Sequence, residues 1–106
     1  MDAKKRKRLE AAGFAVGTAT EFLGLAPEEA ALVEIRLALS QELRGRREDA
    51  GLTQVALARR LRSSQSRVAK MEAGDPSVSL DLLIRALLAV GASRREVGRA
   101  LGQRVA

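Results

Sequence analysis

The stretch TQVALARRLRSSQSRVAKMEAG, from Thr53 to Gly74, holds two short apolar periodicities separated by a polar break. Thr53 is a favourable N-cap, because its hydroxyl accepts from an amide left free in the first helical turn. Val55, Ala56, Leu57, Ala58 and Leu61 follow at helical spacing. Arg62 and Ser63 make the break. Ser64 caps a second segment that turns Val68 and Met71 inward and stops at Gly74, just before Asp75-Pro76. The pattern predicts two helices, over 53–61 and 64–73, joined by a tight turn. Leu57, Leu61, Val68 and Met71 share one face and are read as core.

The flanks extend the same reading. Pro27 followed by Glu28 and Glu29 marks a helix start, since proline is preorganised for the first helical position and carboxylates favour the positive end of the helix dipole. Along this helix Leu32, Ile35, Leu39 and Leu43 recur at three- and four-residue steps, with Val33, Leu37 and Ala38 as a second strip. That width suits either a broad buried face or a partner surface beside the core. Gly51 ends the helix as a left-handed cap residue. Downstream, Ser79 caps a fourth helix whose stripe is Leu80, Leu83, Ile84, Leu87 and Leu88, stopped by Gly91. Ser93 with Glu96 forms a capping box for a short fifth helix through Leu101.

Five helices, only Phe14 and Phe22 as aromatics, and a dominance of Leu, Ala, Arg and Glu predict an all-α fold. The 106 residues suit a single domain. It divides into an arm over 1–26 and a helical domain over 27–106, with the two-helix unit at about 53–73. The arm is basic at Lys4-Lys5-Arg6-Lys7-Arg8, is interrupted by Gly13, Gly17 and Gly24, and has one helical turn expected around Thr20 to Leu23. It reads either as a solvated tail or as an arm lying along a DNA backbone or in a minor groove.

The chain has no Cys and no His, which removes the thiolate nucleophile, the commonest general base and the commonest metal ligands. Ser64, Ser79 and Ser93 are placed as helix caps. No enzyme activity, cofactor or metal is therefore expected. The basic start lacks the apolar stretch of a signal peptide, and no segment is long or apolar enough to span a membrane, so the expected location is the cytoplasm. Lys and Arg number 19 against 13 Asp and Glu, a formal charge of +6 that fits a polyanionic partner. From Arg44 to Lys70 eight basic residues face only Glu48 and Asp49, whereas from Glu21 to Glu42 five acidic residues face only Arg36. One basic and one acidic face are expected.

Two short helices at this spacing make a helix-turn-helix. The second carries Gln65, Ser66, Arg67 and, one turn on, Lys70 at outward positions. Such a helix fits the DNA major groove, where Gln reads adenine and Arg or Lys reads guanine or holds a phosphate. Together, Gly51-Leu52-Thr53-Gln54, Leu57-Ala58, Leu61, Ser64, Val68 and Glu72-Ala73-Gly74 resemble the Cro and phage-repressor family, also called the xenobiotic response element family, over about 39–101. The resemblance implies a five-helix lambda-repressor-like DNA-binding domain. It places Gln54 on a phosphate and against Gln65, Gln65 and Ser66 on base edges, Lys70 on a base or phosphate, and Arg67 on the backbone. Ala58 matches the small residue that lets the two helices approach, and Arg47 and Glu72 match a partly buried ion pair. Arg44, Arg46, Arg59, Arg60 and Arg62 read as a solvated charged surface or, from their clustering, as phosphate contacts. The chain departs from the family at the turn, where Arg62-Ser63 stand in place of a glycine and an apolar residue. Left-handed geometry there would carry a backbone cost, while Arg62 would gain a phosphate contact.

The expected function is sequence-specific repression. A two-fold dimer on a palindromic operator is expected, with Val97 and Leu101 of the fifth helix, or the extra strip on the first, as candidate dimer surfaces. The wording of residues 64–80, with Glu21-Phe22-Leu23-Gly24-Leu25 upstream, resembles HigA-like antitoxins, which repress their own operon and neutralise an RNase toxin. The acidic half would suit a basic RNase. The alternative is a protein-interaction module that neutralises a partner protein and binds DNA only non-specifically.

Overall fold

Pro27 opens the first helix of the computed structural model, which describes residues 24–103. The basic run at 4–8, the turn expected around 20–23 and residues 104–106 lie outside the described residues. Among the described residues there are five helices and no strand: α1 (Pro27–Asp49), α2 (Gln54–Leu61), α3 (Gln65–Ala73), α4 (Leu80–Ala89) and α5 (Arg94–Leu101). The fold is all-α, as composition and periodicity predict. No helix among the described residues is long and apolar enough to cross a membrane.

The helix starts follow single residues. Thr53, Ser64, Ser79 and Ser93 all have extended backbones, and each side chain accepts from the amide three residues on. Each such cap contributes about 1 kcal/mol. At α5 the bond is reciprocated, because the Ser93 amide donates to Glu96 Oε1 at 2.9 Å. The ends of α1 to α4 share a second device, in which a residue with positive φ lets the chain fold back on the last carbonyls. Gly51, Gly74 and Gly91 serve α1, α3 and α4, and Arg62 serves α2 at φ +55°. There the Ser63 amide returns to the Ala58 carbonyl at 2.8 Å.

The chain divides into two packing units inside α1, between Ile35 and Arg36. Of the first, the described part is residues 24–35, with Glu28 and Glu29 in the first turn of α1. The second, Arg36–Gln103, holds the rest of α1 and all of α2 to α5. Its core is built on Leu39 and Leu43 from α1, Leu57 from α2, Val68 and Met71 from α3, and Leu83 and Leu87 from α4, all fully buried. Burying a side chain of this size contributes about 1.5–3 kcal/mol. α2 packs mainly on α3, and α4 contacts both α2 and α5. Ala58, buried on α2, occupies the position of the small residue that close helix packing calls for.

Two positions of the apolar stripes differ from the periodicity reading, and Leu32 of α1 is exposed. Leu88 of α4 is exposed, and Ala86 takes its place among the buried residues. The inward face runs Leu83, Ala86, Leu87, a three- and four-residue rhythm in which a small side chain fills the middle position. Leu88 lies one position beyond it, about 100° further round the helix.

Candidate nucleic-acid interface

The motif pair is held by an ionic clamp between α1 and α3. Arg47 Nε donates to Glu72 Oε2 at 2.6 Å and its Nη2 donates to Oε1 at 3.0 Å, the bidentate fork that suits a guanidinium and a carboxylate. The Glu72 side chain is only 4% exposed and that of Arg47 13%. Arg47 Nη1 also donates to the Leu52 carbonyl at 2.8 Å, tying down the loop before α2. Bonding to Glu72 raises the Arg47 pKa above its ordinary value.

From this clamp a chain of amides runs outward. Gln54 Nε2 donates to Glu72 Oε1 at 3.1 Å, and Gln65 Nε2 donates to Gln54 Oε1 at 2.7 Å. Gln54 is the first residue of α2 and Gln65 the first of α3, so the chain links the two motif helices at their N-terminal ends. Gln65 itself is exposed.

Beside Gln65, the side chains of Ser66, Arg67 and Lys70 are exposed. With Ser64, Ser77 and Val78 they line one open polar cleft along α3 and the loop that follows it. Periodicity and motif reading missed Ser77, because the Asp75-Pro76 pair there signals only a helix end. Its amide donates to Asp75 Oδ1 at 2.8 Å, and Asp75 is held below the usual carboxylate range, first by the Ser77 hydroxyl and then by that amide. Arg36 of α1 donates to the Val78 carbonyl and so pins the same loop. The exposed N-terminal half of α3 can thus offer hydroxyl, amide and cationic groups to a polyanion.

The other basic residues expected at phosphates separate into two groups. Arg59, Arg60 and Arg62 are exposed at the end of α2 and its cap. Arg44 pairs with Glu48 at 2.9 Å on the exposed side of α1. Arg46, grouped by charge with the phosphate contacts, is engaged elsewhere: its Nε donates to Glu42 at 2.7 Å and its Nη2 to Glu96 of α5 at 2.8 Å. Two carboxylates neutralise that guanidinium and assign it to holding α5 against α1. The Arg46 bond, helped by the Ser93 amide, pushes Glu96 down to about 2.

The two residues of α5 expected at a dimer surface differ in exposure. Val97 is buried in the core, because it is on the inward face of α5 with Ala100, whereas Leu101 is exposed. Leu101 alone of that pair has a side chain free to meet a partner.

No curated protein and no solved structure matches the chain. Residues 38–102, well over half of the 106, match the family described as helix-turn-helix domain. That span takes in the clamp, the amide chain and the polar cleft, and the protein belongs to this family of DNA-binding helix-turn-helix domains.

Proposed function

We propose that the protein is a sequence-specific transcriptional repressor that sets α3 in the major groove of a palindromic operator as a two-fold dimer. The observation that carries the reading is the amide chain ending at exposed Gln65, beside Ser66, Arg67 and Lys70 on the same helix end. Gln65, Ser66 and Lys70 read base edges. Gln54, Arg67, Arg59 and Arg62 hold phosphates, which set register and supply salt-dependent affinity. Arg44 joins them by releasing its exposed partner Glu48. A single motif contacts few base pairs, so two half-sites about 34 Å apart are needed for useful selectivity. The location consistent with this role is the cytoplasm, at the nucleoid.

The resemblance of residues 64–80 to HigA-like antitoxins supports a finer role, the autoregulatory antitoxin of a toxin–antitoxin pair. Exposed Glu28 and Glu29 at the start of α1 suit a basic partner of RNase type.

Selection from a pool of random duplexes with the full chain tests the repressor reading. A palindromic consensus is expected, absent for a Gln65→Ala, Lys70→Ala double variant. Binding with no consensus, unchanged in that variant, would point instead to a protein-interaction module. For the antitoxin role, an adjoining gene is expected to encode a growth-arresting RNase whose toxicity this chain relieves on co-expression.

A further inference from the structure

The two glutamines at the helix ends are ambivalent groups, since each amide carries an acceptor on one side and two donors on the other. What removes the ambivalence is the group at the buried end. Glu72 accepts from Arg47 on both its oxygens, and a guanidinium can only donate, so what Glu72 turns toward Gln54 is an acceptor. Gln54 must therefore turn Nε2 toward it, which leaves Gln54 Oε1 facing outward. That oxygen in turn requires a donor, and Gln65 supplies Nε2. Reversing either amide would set oxygen against oxygen or nitrogen against nitrogen.

Gln65 is left with its Oε1 and one Nε2 hydrogen for whatever lies in front of α3. Adenine shows the major groove one donor, N6–H, and one acceptor, N7, whereas guanine shows two acceptors, N7 and O6. An unbraced glutamine can turn both Nε2 hydrogens toward guanine. The braced one has already committed one of them, and its oxygen would oppose guanine O6.

We infer that Glu72 is a specificity-determining positioning residue, whose buried carboxylate fixes the amide direction of Gln54 and thereby of Gln65, so that Gln65 selects adenine over guanine. This rests on α3 being the DNA-reading helix. The Arg47–Glu72 clamp also ties α1 to α3, but the tie does not need the bond to Gln54. The relay is thus separable from the structural role.

The test uses the full chain and two duplexes: the one the wild type selects from a random pool, and its twin with A·T replaced by G·C at the position whose preference Gln65→Ala abolishes. The readout is the ratio of the two Kd values, which cancels any loss of folded protein. The wild type should prefer adenine by roughly 5- to 150-fold, the discrimination of one bidentate base contact. Gln54→Ala, which leaves the clamp intact, and the pair Arg47→Met, Glu72→Leu, which offers Gln54 no acceptor and strands no charge, should both bring the ratio close to 1. If both keep the wild-type ratio, Gln65 reads its base unaided and the proposal is overturned while the DNA reading stands. Loss in Gln54→Ala with retention in Arg47→Met, Glu72→Leu would overturn the role of Glu72 alone. A wild type that selects no sequence would remove the DNA reading and the relay with it.

Discussion

Arg62 stands where α1, α3 and α4 each use a glycine, and it adopts the same left-handed conformation at φ +55°. A side chain there costs roughly 1–2 kcal/mol, against which glycine gives back roughly 0.5–1 kcal/mol of unfolded-state entropy. Arg62→Gly should therefore raise stability by about 0.5–1 kcal/mol in urea unfolding, while weakening DNA binding if the guanidinium holds a phosphate. A variant no more stable than the wild type would mean that the strain at Arg62 does not exceed the entropy that glycine gives back. Arg47 and Glu72 invite a second experiment. Replacing either alone strands a buried charge and should cost about 3–5 kcal/mol, whereas replacing both with Met and Leu should cost much less. Strictly additive losses in the double-mutant cycle would contradict the clamp. Residue identity alone told these positions apart unevenly. Resemblance suggested the Arg47–Glu72 pair, but nothing local to Arg46 announces Glu96, which lies 50 residues further on. Charge clustering along the chain sees neighbours in sequence and misses a partner of that kind.

At the scale of the helices, boundaries were more legible than faces. A hydroxyl before an apolar run or a glycine after one acts through one or two backbone bonds, so each cap could be placed from its residue type. Inward faces are cooperative: Ala86 is buried and Leu88 exposed because the rotation of α4 is set by what packs against it. The docking of α5 is similarly non-local, and it is open to a pH test. Glu96 has a folded-state pKa depressed from 4.5 to about 2, chiefly by Arg46. Its contribution is complete above the ordinary carboxylate range and is lost as pH falls from about 4.5 toward 2. The melting temperature should fall through that window, and Glu96→Gln, which keeps a capping-box side chain, should show a shallower fall. Equal acid limbs would place the acid sensitivity elsewhere.

For the whole molecule, an all-α helix-turn-helix domain was readable from periodicity, caps and the spacing of two short helices. The partner-facing chemistry was readable only in outline. Sequence supplies the residues Gln65, Ser66, Arg67 and Lys70, but the bond path that orients Gln65 runs through Gln54 to Glu72 and exists only once α1, α2 and α3 are packed. Ser77 reaches the same cleft only by the return of the loop after α3. Whether this surface reads DNA sequence is decided by relative affinity. The most direct measurement is the Kd of the full chain for its selected duplex and for a scrambled one, across a range of salt, in wild type and in Gln65→Ala, Lys70→Ala. The selected duplex should bind at least ~10³-fold more tightly than the scrambled one at physiological salt, with log K falling linearly with log salt for both. The double variant should lose most of that ratio while keeping most of the salt slope. Equal affinity for the two duplexes in the wild type would contradict the account.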